Sequence, residues 1–293
     1  MSALPAPHDG LINALENRLR TPVLSSETIR QQLLALEPAV SWNHIFQFDT
    51  DLATIQPDQT RNYNKAQGLK KIGRQIIEAV PFITRKQRIE DLEVLDLACA
   101  EGQHAAEFAN AGARRVLGIE GRELYVRRAN FVAEAFGLEN LTFRQGDVRE
   151  VSRESTGVFD LVLFFGILHH LDGNVFADIL KRLRSVTDDT LVLYTHTSEP
   201  GCEKKFGERL SEEREIEGGY RGRFYMEHPE HATAEQKAAR VRNSLDNNYS
   251  FWARENSLIH ALRDAGFTHI SKLMHPNPFG NPAGEFRVLY TCR

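Results

Sequence analysis

Residues 94–103 have the sequence VLDLACAEGQ, in which an apolar run containing Asp96 leads into small residues and then into the start of a helix. A short apolar run before such a turn predicts a buried strand. The small residues let a ligand approach the backbone, and the first N–H groups of the following helix would point at it. Asp96 would then act on a cationic group of the ligand through charge and hydrogen bonds. The alternative is a tight turn without a ligand.

From about residue 92 onward, short apolar runs alternate with segments of helical periodicity. This alternation is typical of an α/β fold with a doubly wound, mostly parallel sheet. Strands are predicted over 93–97, 115–119, 141–144, 160–165 and 190–195. Helices are predicted over 102–111, 122–136 and 174–184, and the first two stop at glycines.

The C-terminal part of the chain has a different pattern. FTHISKLM (267–274) and FRVLYTC (286–292) are strand-like runs separated by the Pro-, Gly- and Asn-rich HPNPFGNPAG (275–284). They predict a β-hairpin that closes the sheet. The preceding NSLIHALRDAG (256–266) has the spacing of an amphipathic helix that stops at its final glycine.

Two segments lie outside this core. Residues 1–90 are mostly helical by pattern and predict a helical N-terminal cover, whereas residues 91–293 form the main domain. The second segment, about 197–254, interrupts the main domain after its fifth strand. Ligands of open parallel sheets bind beyond the C-terminal ends of the strands, so an insertion that leaves there is placed to cover a site. We therefore expect 197–254 to be a lid.

Two further strands lead into acidic residues. RRVLGIEG (114–121) places Glu120 where a carboxylate accepts both hydroxyls of a ribose, like the acid that follows the Gly-rich loop of dinucleotide folds. LTFRQGDVRE (141–150) places Asp147 where it would accept a hydrogen bond from an adenine amino group, with Val148 packed on the ring. The alternatives are a surface Glu and a turn Asp.

The fourth strand lies in GVFDLVLFFGILHHLDG (157–173), which ends in a glycine and a helical turn with two histidines. These four segments, in this order and at these intervals, resemble the class I, Rossmann-like S-adenosylmethionine-dependent methyltransferases. The resemblance covers residues 92–195 and includes the closing hairpin. It implies a seven-stranded sheet with helices on both faces and a reversed final strand, and it implies S-adenosyl-L-methionine as the cofactor.

The same resemblance implies how the cofactor is bound. The first loop would wrap its methionine end, the acid after the second strand would hold its ribose, and the Asp-Val pair after the third strand would hold its adenine. The end of the fourth strand would line the sulfonium side, and the N-terminal cover is placed to reach the methionine end. The predicted cofactor-binding residues are Asp96, Ala98, Gly102, Glu120, Asp147, Val148, Phe165 and Gly166, with Tyr63 from the cover.

The first loop departs from the family pattern, since Ala98, Cys99 and Ala100 stand where several glycines are usual. An alanine in a left-handed conformation costs on the order of 1 kcal/mol, so these positions either keep negative φ angles or strain the loop slightly. A nicotinamide-dependent oxidoreductase is the rival enzyme, but it needs a G-x-G-x-x-G turn for a pyrophosphate. A binding protein that has kept the fold and lost the chemistry is the third alternative.

Methyl transfer to an O–H or N–H group requires alignment of the nucleophile and removal of its proton. His169, His170 and His196 lie near the ends of the fourth and fifth strands and are the candidate bases, of which His169 and His196 are the predicted ones. His170 is assigned to the substrate site, with a structural hydrogen bond as the alternative.

In the lid, EGGYRGRFYMEHPEH (217–231) alternates aromatic residues with arginines, which suit a flat body and a carboxylate or phosphate. The alternative is a solvated charged loop. The substrate-binding residues predicted from this segment are Tyr220, Arg221, Arg223 and Tyr225.

Composition limits the partners. The 293 residues include 36 Lys and Arg against 40 Asp and Glu, a formal net charge of −4, so there is no general attraction to nucleic acid or anionic lipid. We predict a small, anionic acceptor that is methylated on oxygen or nitrogen. A tRNA is the runner-up, because residues 44–71 faintly resemble the segment before the core in wobble-uridine tRNA-modifying enzymes.

The remaining sequence features concern membrane spans, cysteines and metal sites, for which the sequence shows no typical pattern. No apolar run approaches the length of about 20 residues that spans a membrane, and the N-terminus MSALPAPHDG lacks a basic start before an apolar core, so we expect a cytoplasmic protein without a membrane partner. Cys99, Cys202 and Cys292 fit neither a disulfide framework nor a Cys-x-x-Cys metal site, and reduced thiols are expected. No metal site is predicted, and a homodimer is compatible with the sequence.

Overall fold

The computed structural model of the protein describes residues 19–37, 40–55, 60–273 and 286–293, with 60–65 described by their backbone alone. Its strands are β1 (Gln47–Asp49), β2 (Leu52–Ala53), β3 (Glu93–Leu97), β4 (Arg115–Glu120), β5 (Leu141–Gln145), β6 (Phe159–Phe165), β7 (Thr187–His196), β8 (Arg214–Ile216), β9 (Tyr220–Met226), β10 (Tyr249–Ala253), β11 (Ile270–Lys272) and β12 (Arg287–Cys292). Its α-helices are α1 (Ser26–Ala35), α2 (Thr60–Ile83), α3 (Gln103–Asn110), α4 (Glu123–Phe136), α5 (Arg153–Thr156), α6 (Phe176–Val186), α7 (Cys202–Phe206), α8 (Ala234–Ala239) and α9 (Glu255–Asp264).

A seven-stranded sheet forms the centre of the protein, with the strand order β11-β12-β7-β6-β3-β4-β5. Its strands are parallel except for β12, which is antiparallel to both of its neighbours. Strands that are covered on both faces are apolar along their length, and β6 accordingly buries six of its seven residues. The predicted α/β class, the seven-stranded sheet and the reversed final strand are confirmed. The connection at 275–284 lies outside the described residues.

The direction of the strands determines which residues meet at one edge of the sheet. The parallel strands β3 to β7 all end there. Because β12 runs the other way, its first residue, Arg287, pairs with His196, the last residue of β7. This edge therefore collects the residues that follow five strands and the residue that begins a sixth.

The helices cover the sheet through amphipathic faces that the sequence predicts. In α6, the buried residues recur at helical spacing, and each buried leucine or phenylalanine contributes roughly 1.5 to 3 kcal/mol. Helix α4 is followed by Gly137 in the left-handed conformation (φ 60°), which is the predicted stop. The buried residues of α6 are Phe176, Ile179, Leu180, Leu183 and Val186.

The described part of the N-terminal segment contains two helices, α1 and α2, and a small hairpin of β1 and β2. The hairpin adds Phe48 to the core, where its ring stacks on Phe136 with the centroids 5.2 Å apart. Trp42 is also buried there. These contacts fix the N-terminal segment on α4.

The insertion at 197–254 contains a three-stranded antiparallel sheet of order β10-β9-β8, with α7 and α8. The N–H group of Phe251 in β10 donates to the carbonyl of Leu171, which follows β6, at 2.9 Å. The guanidinium of Arg122, which precedes α4, donates to the carbonyl oxygens of Asn243 and Ser244. The insertion is thus fixed to the main domain on both sides of the strand ends.

Two other features of the described chain are its helix composition and the state of its cysteines. Among the described residues, no helix combines the length and the apolar composition that crossing a membrane requires. Cys99, Cys202 and Cys292 are buried and free of disulfides.

Candidate active site

A cavity of about 320 Å³ lies at the edge where the parallel strands end. Its walls come from the loops after β3, β4, β5 and β6, from the N-terminal segment, and from lid residues 241–247. The predicted site residues that line it are Asp96, Ala98, Glu120, Asp147, Val148, Phe165, Gly166, His169 and His170. The structure therefore brings together most of the predicted cofactor residues. Tyr63 lies outside the residues whose side chains are described.

The loop after β3 is strained. Ala98 and Ala100 have φ angles of 54° and 47°, in the left-handed region that alanine avoids. Of the two possibilities that the sequence left open, the structure shows the strained one. Gly102 has a φ of 78°, and a Cβ atom there would lie 2.3 Å from Cζ of Phe143, so only glycine fits. Gly102 shapes the loop without lining the cavity.

Asp96 is buried at the end of β3. One of its carboxylate oxygens accepts a hydrogen bond from the N–H group of Ala105 in α3, at 3.1 Å. Burial, to which the negative charge of Glu120 adds, raises the pKa of Asp96 to about 7. A cationic ligand in the cavity would stabilise its ionised form.

Glu120 connects β4 to the strained loop. Its two carboxylate oxygens accept hydrogen bonds from the N–H groups of Ala100, at 2.9 Å, and Arg122, at 2.8 Å. Burial raises its pKa, although these two hydrogen bonds oppose the rise. The carboxylate is therefore held in a fixed orientation at the cavity wall, as a ribose-binding acid requires.

Asp147 lies where the lid reaches the strand ends. Its side chain accepts a hydrogen bond from the N–H group of Arg149 at 2.8 Å and from the Nε of the same residue at 2.9 Å. Arg149 also contacts Asp246 of the lid, with Nη2 and Oδ2 2.7 Å apart. Burial alone would raise the pKa of Asp147, but the bonds from Arg149 outweigh it and lower the pKa.

The N-terminal segment supplies a polar contact that sequence reasoning missed. Glu101, in the loop after β3, is fully buried and faces His44 at 2.9 Å and Arg128 at 3.4 Å. Burial would raise the pKa of Glu101, but the hydrogen bond and charge of His44, with the charge of Arg128, outweigh it and lower the pKa. No local pattern marks Glu101, because its partners are far away in the sequence.

His169 lines the cavity in the turn after β6. Its Nδ1 accepts a hydrogen bond from the N–H group of His196 at 3.3 Å and lies 3.2 Å from Oγ1 of Thr195. Burial, followed by the charges of His170 and His196, lowers the pKa of His169 well below its ordinary value. With Nδ1 acting as an acceptor, the ring proton of the neutral imidazole is on Nε2.

His196 lies behind the cavity wall. Its Nε2 accepts a hydrogen bond from Nε of Arg287 at 2.8 Å, and its ring stacks on Trp252 with the centroids 4.6 Å apart. Burial, followed by the charge of Arg287, lowers its pKa to about 2. This position does not support the prediction of a base, because the nitrogen that would accept the proton already binds Arg287.

His170 has a different partner. Its Nδ1 lies 2.8 Å from Oε1 of Glu227, a lid residue whose exposed fraction is 1%. The same carboxylate accepts hydrogen bonds from Oγ of Ser250 at 2.8 Å and from the N–H group of Ser244 at 3.2 Å. Sequence reasoning did not select Glu227, which lies in the charged stretch 217–231.

The aromatic residues and arginines predicted from the lid do not line the cavity. Arg221 forms an ion pair with Glu213 at 2.9 Å, and Arg223 donates to the carbonyl of Ser211 at 2.8 Å. Tyr220 and Tyr225 are held within the fold, by a hydrogen bond to Asp264 and by stacking on Trp252. This placement does not support the substrate role predicted for Tyr220, Arg221, Arg223 and Tyr225. The acidic residues of the lid itself neutralise its arginines, which the short segment 217–231 did not reveal.

The cavity also contains a cation that the sequence did not indicate. Arg287 lines the wall, where Nη1 donates to Oη of Tyr194 at 2.9 Å and Nε donates to His196. The site residues predicted from the sequence follow the parallel strands or lie in the lid and the N-terminal cover. Arg287 begins a reversed strand, so it reaches the same edge from the opposite direction.

Comparison with known proteins identifies related domains. Residues 94–189 match the family described as a methyltransferase domain. A segment of 79 residues is 34% identical to the ubiquinone biosynthesis O-methyltransferase of Acinetobacter baylyi and covers 27% of this chain and 33% of that protein. The match thus spans about a third of that relative's length.

Solved structures resemble nearly the whole chain. The N-terminal domain of EvdMO1 with SAH (S-adenosylhomocysteine) bound has a TM-score of 0.66 at 25% identity, and the similarity covers 92% of this chain and 97% of that domain. The same domain in the presence of SAH and D-fucose has a TM-score of 0.64, with the same identity and coverage. Magnesium protoporphyrin IX methyltransferase from Synechocystis PCC 6803 with bound SAH, 16% identical, has a TM-score of 0.52 over 80% of this chain and 86% of that one, and shows the shared fold.

Proposed function

Residues 94–189 form a class I, Rossmann-like S-adenosylmethionine-dependent methyltransferase domain, and from this premise we propose that the protein methylates a hydroxyl oxygen of a small molecule that also carries an anionic group. Its cofactor is S-adenosylmethionine. One observation carries the proposal. The cavity that contains Asp96 and Glu120 continues to the imidazoles of His169 and His170 and to the guanidinium of Arg287.

The residues at one end of the cavity fit the cofactor. S-Adenosylmethionine is cationic at its sulfur and at its amino group, and the carboxylates of Asp96 and Glu120 face the same space. Val148 is buried next to Asp147 and offers an apolar surface for adenine. A dinucleotide would require glycines for its pyrophosphate, and the corresponding turn contains Ala98. When bound, the cofactor supplies a methyl group that the positive sulfur activates for transfer.

Oxygen is proposed as the acceptor atom for two reasons. The relative from Acinetobacter baylyi is named as an O-methyltransferase, and the EvdMO1 domain was crystallised with D-fucose, a sugar whose polar groups are oxygens. A hydroxyl group also requires a base, and imidazoles of this chain line the cavity. A sugar phosphate or a related hydroxylated anion combines such a hydroxyl with a group that Arg287 would bind.

The residues of this chain would contribute by positioning, charge and proton transfer. Arg287 would bind the anionic group of the acceptor, and its own orientation is set by His196 and Tyr194. Lid residues 241–247 form one wall of the cavity and would exclude water from it. A histidine at the end of β6 would remove the hydroxyl proton, which contributes typically 10²- to 10⁴-fold in rate.

The test is transfer of a labelled methyl group to D-fucose, D-galactose, D-galactose 1-phosphate and bulk tRNA. We expect label in the sugars, with a lower KM for the phosphorylated one. Arg287→Gln should raise the KM for D-galactose 1-phosphate by about 10- to 100-fold, because a hydrogen bond to a charged group contributes roughly 1.5 to 3 kcal/mol. Arg221→Gln is the matched control. It should leave the KM for D-galactose and the KM for D-galactose 1-phosphate unchanged, because Arg221 is paired with Glu213 outside the cavity.

Three other results would contradict the proposal. Label that appears only in tRNA, with a rate that falls steeply as salt is added, would assign the protein to nucleic acid modification. Tight binding of S-adenosylhomocysteine without transfer to any acceptor would indicate a binding protein on the same fold. An equal KM for the neutral and phosphorylated sugars would remove the anionic group from the proposal.

A further inference from the structure

The two adjacent histidines of the turn after β6 have opposite protonation patterns. In His169, Nδ1 accepts the backbone N–H group of His196, so Nε2 carries the ring proton. In His170, Nδ1 lies 2.8 Å from a carboxylate oxygen of Glu227. A carboxylate accepts and does not donate, so this nitrogen carries the proton and Nε2 is left with its lone pair.

Glu227 is placed to act on His170. Its side chain is 1% exposed, and an ionised carboxylate in such a place costs several kcal/mol unless it is paired and hydrogen-bonded. The pairing comes from His170, and two further hydrogen bonds come from Ser250 and Ser244. Burial would raise the pKa of Glu227, but these contacts, with His170 first among them, lower it, so the carboxylate stays ionised.

From this geometry we infer that His170 is the catalytic base and that Glu227 of the lid is its positioning residue. The inference rests on the proposed methyl transfer to a hydroxyl group. The acceptor O–H group gives its proton to Nε2 of His170, and the oxygen forms a bond to the methyl carbon. The bond from that carbon to the cofactor sulfur breaks, and its electron pair remains on sulfur. The imidazolium that forms is stabilised by Glu227 and returns its proton to water.

Among the described contacts of His170, the pairing with Glu227 is the one that supplies a negative charge. Two titratable groups near it in the described part of the chain are His169 of the same turn, with the ring centroids 4.4 Å apart, and His196 of β7, and both have strongly lowered pKa values. Arg287 adds positive charge nearby and disfavours protonation of His169 and His196. Because Glu227 belongs to the lid, the base is complete only when the lid is in place.

The kinetic test compares His170→Gln, Glu227→Gln and Glu227→Asp. We expect His170→Gln to lower kcat by 10²- to 10⁴-fold with little change in cofactor affinity. Glu227→Gln should lower kcat by about 10- to 100-fold and move the inflection of the kcat–pH profile to lower pH, because the imidazolium loses its counter-charge. Glu227→Asp should restore part of the rate. Glu217→Gln removes the same charge from an exposed lid position and is the matched control, with an unchanged profile.

A second measurement does not depend on activity. In the folded wild-type protein at pH 8, ¹⁵N NMR of the imidazoles should show His170 protonated on Nδ1 and His169 protonated on Nε2, and Glu227→Gln should alter the resonances of His170. If the protein transfers no methyl group, the proposed function fails while these spectra still report the pairing. A His170 protonated on Nε2, or a Glu227→Gln variant with wild-type kcat and pH profile, would overturn the inference.

Discussion

Glu101 and Arg128 form an ion pair in which neither side chain is exposed to solvent. Glu101 belongs to the strained loop after β3, and Arg128 belongs to α4. The guanidinium of Arg128 also donates to the carbonyl oxygens of Leu36 and Ser41 and lies over the ring of Trp42. This single side chain therefore holds the loop after β3 and the N-terminal segment together.

We predict that Arg128→Leu lowers the free energy of unfolding by about 3 to 5 kcal/mol, because it leaves a buried carboxylate with a weaker set of partners. Denaturation in urea measures this loss. Arg127→Leu is the matched control, since Arg127 pairs with Glu37 at the surface and such a pair contributes less than about 1 kcal/mol. Equal losses of unfolding free energy in the two variants would show that the buried pair of Glu101 and Arg128 stabilises the fold no more than the surface pair does.

The strained alanines lead to a second prediction. A left-handed alanine costs about 1 to 2 kcal/mol, whereas a new glycine loosens the unfolded chain by about 0.4 to 1 kcal/mol. Ala98→Gly should therefore leave the free energy of unfolding unchanged or raise it by up to about 1.6 kcal/mol. Ala106→Gly, inside α3, should lower it by about 1 kcal/mol or more. Urea denaturation of both variants gives the signs, and a clear loss for Ala98→Gly would show that the loop is unstrained.

The cofactor end of the site could be predicted from the sequence because each of its acids follows its own strand. Asp96, Glu120 and Asp147 are identified by short apolar runs that precede them, and the parallel order of the strands then brings the three together. The only information needed is local pattern and strand direction. The conformation of Ala98 could not be decided in this way, because the contacts that keep the loop strained come from other segments.

The acceptor end depends on contacts between distant residues, which no single segment reveals. Glu227 reaches His170 through the sheet of the lid, and Arg287 reaches the cavity from the start of a reversed strand. Arg221 looked like a substrate cation because Glu213, its partner, lies outside the stretch of aromatic residues and arginines. Hydrogen bonding, rather than sequence position, also distinguishes His170, the proposed base, from His196, whose Nε2 already accepts from Arg287.

The raised pKa of Asp96 predicts a pH dependence of stability. The folded protein holds this proton up to about pH 7, whereas the ordinary pKa of an aspartate is 3.8. Between these values the folded state binds more protons than the unfolded state, so the free energy of unfolding falls as pH rises. Urea denaturation of the cofactor-free protein at pH 5 and pH 7.5 should show this fall, and Asp96→Asn should reduce it.

Glu107 provides a comparison for that measurement, because it lies outside the cofactor site and has a similarly raised pKa. Burial raises its pKa to about 7 as well, so it contributes a slope of the same sign, and Glu107→Gln should reduce the fall without affecting the cofactor site directly. If cofactor binding keeps Asp96 ionised, affinity should rise with pH up to about 7 in the wild type and lose part of this dependence in Asp96→Asn. A stability that is flat from pH 5 to pH 7.5 would contradict the raised pKa of both groups.

The contact of Arg149 with both Asp147 and Asp246 predicts how the lid affects the cofactor. Asp246 belongs to lid segment 241–247, which lines the cavity, so the contact holds this segment against the residue assigned to adenine. Asp246→Asn should raise the dissociation rate of S-adenosylhomocysteine by up to about five-fold, because a partly exposed pair contributes no more than about 1 kcal/mol. The association rate should change little, since the cofactor residues themselves are intact.

Stopped-flow binding at low and high salt measures both rates, and the difference between wild type and Asp246→Asn should shrink as salt screens the pair. Asp178→Asn is the matched control, because Asp178 pairs with Arg182 on the surface of α6 and neither residue lines the cavity. Its dissociation rate should equal that of the wild type. If Asp246→Asn leaves the dissociation rate unchanged at low salt, the lid segment closes over the cavity without help from Arg149, and its contacts with Arg122 are sufficient to hold it.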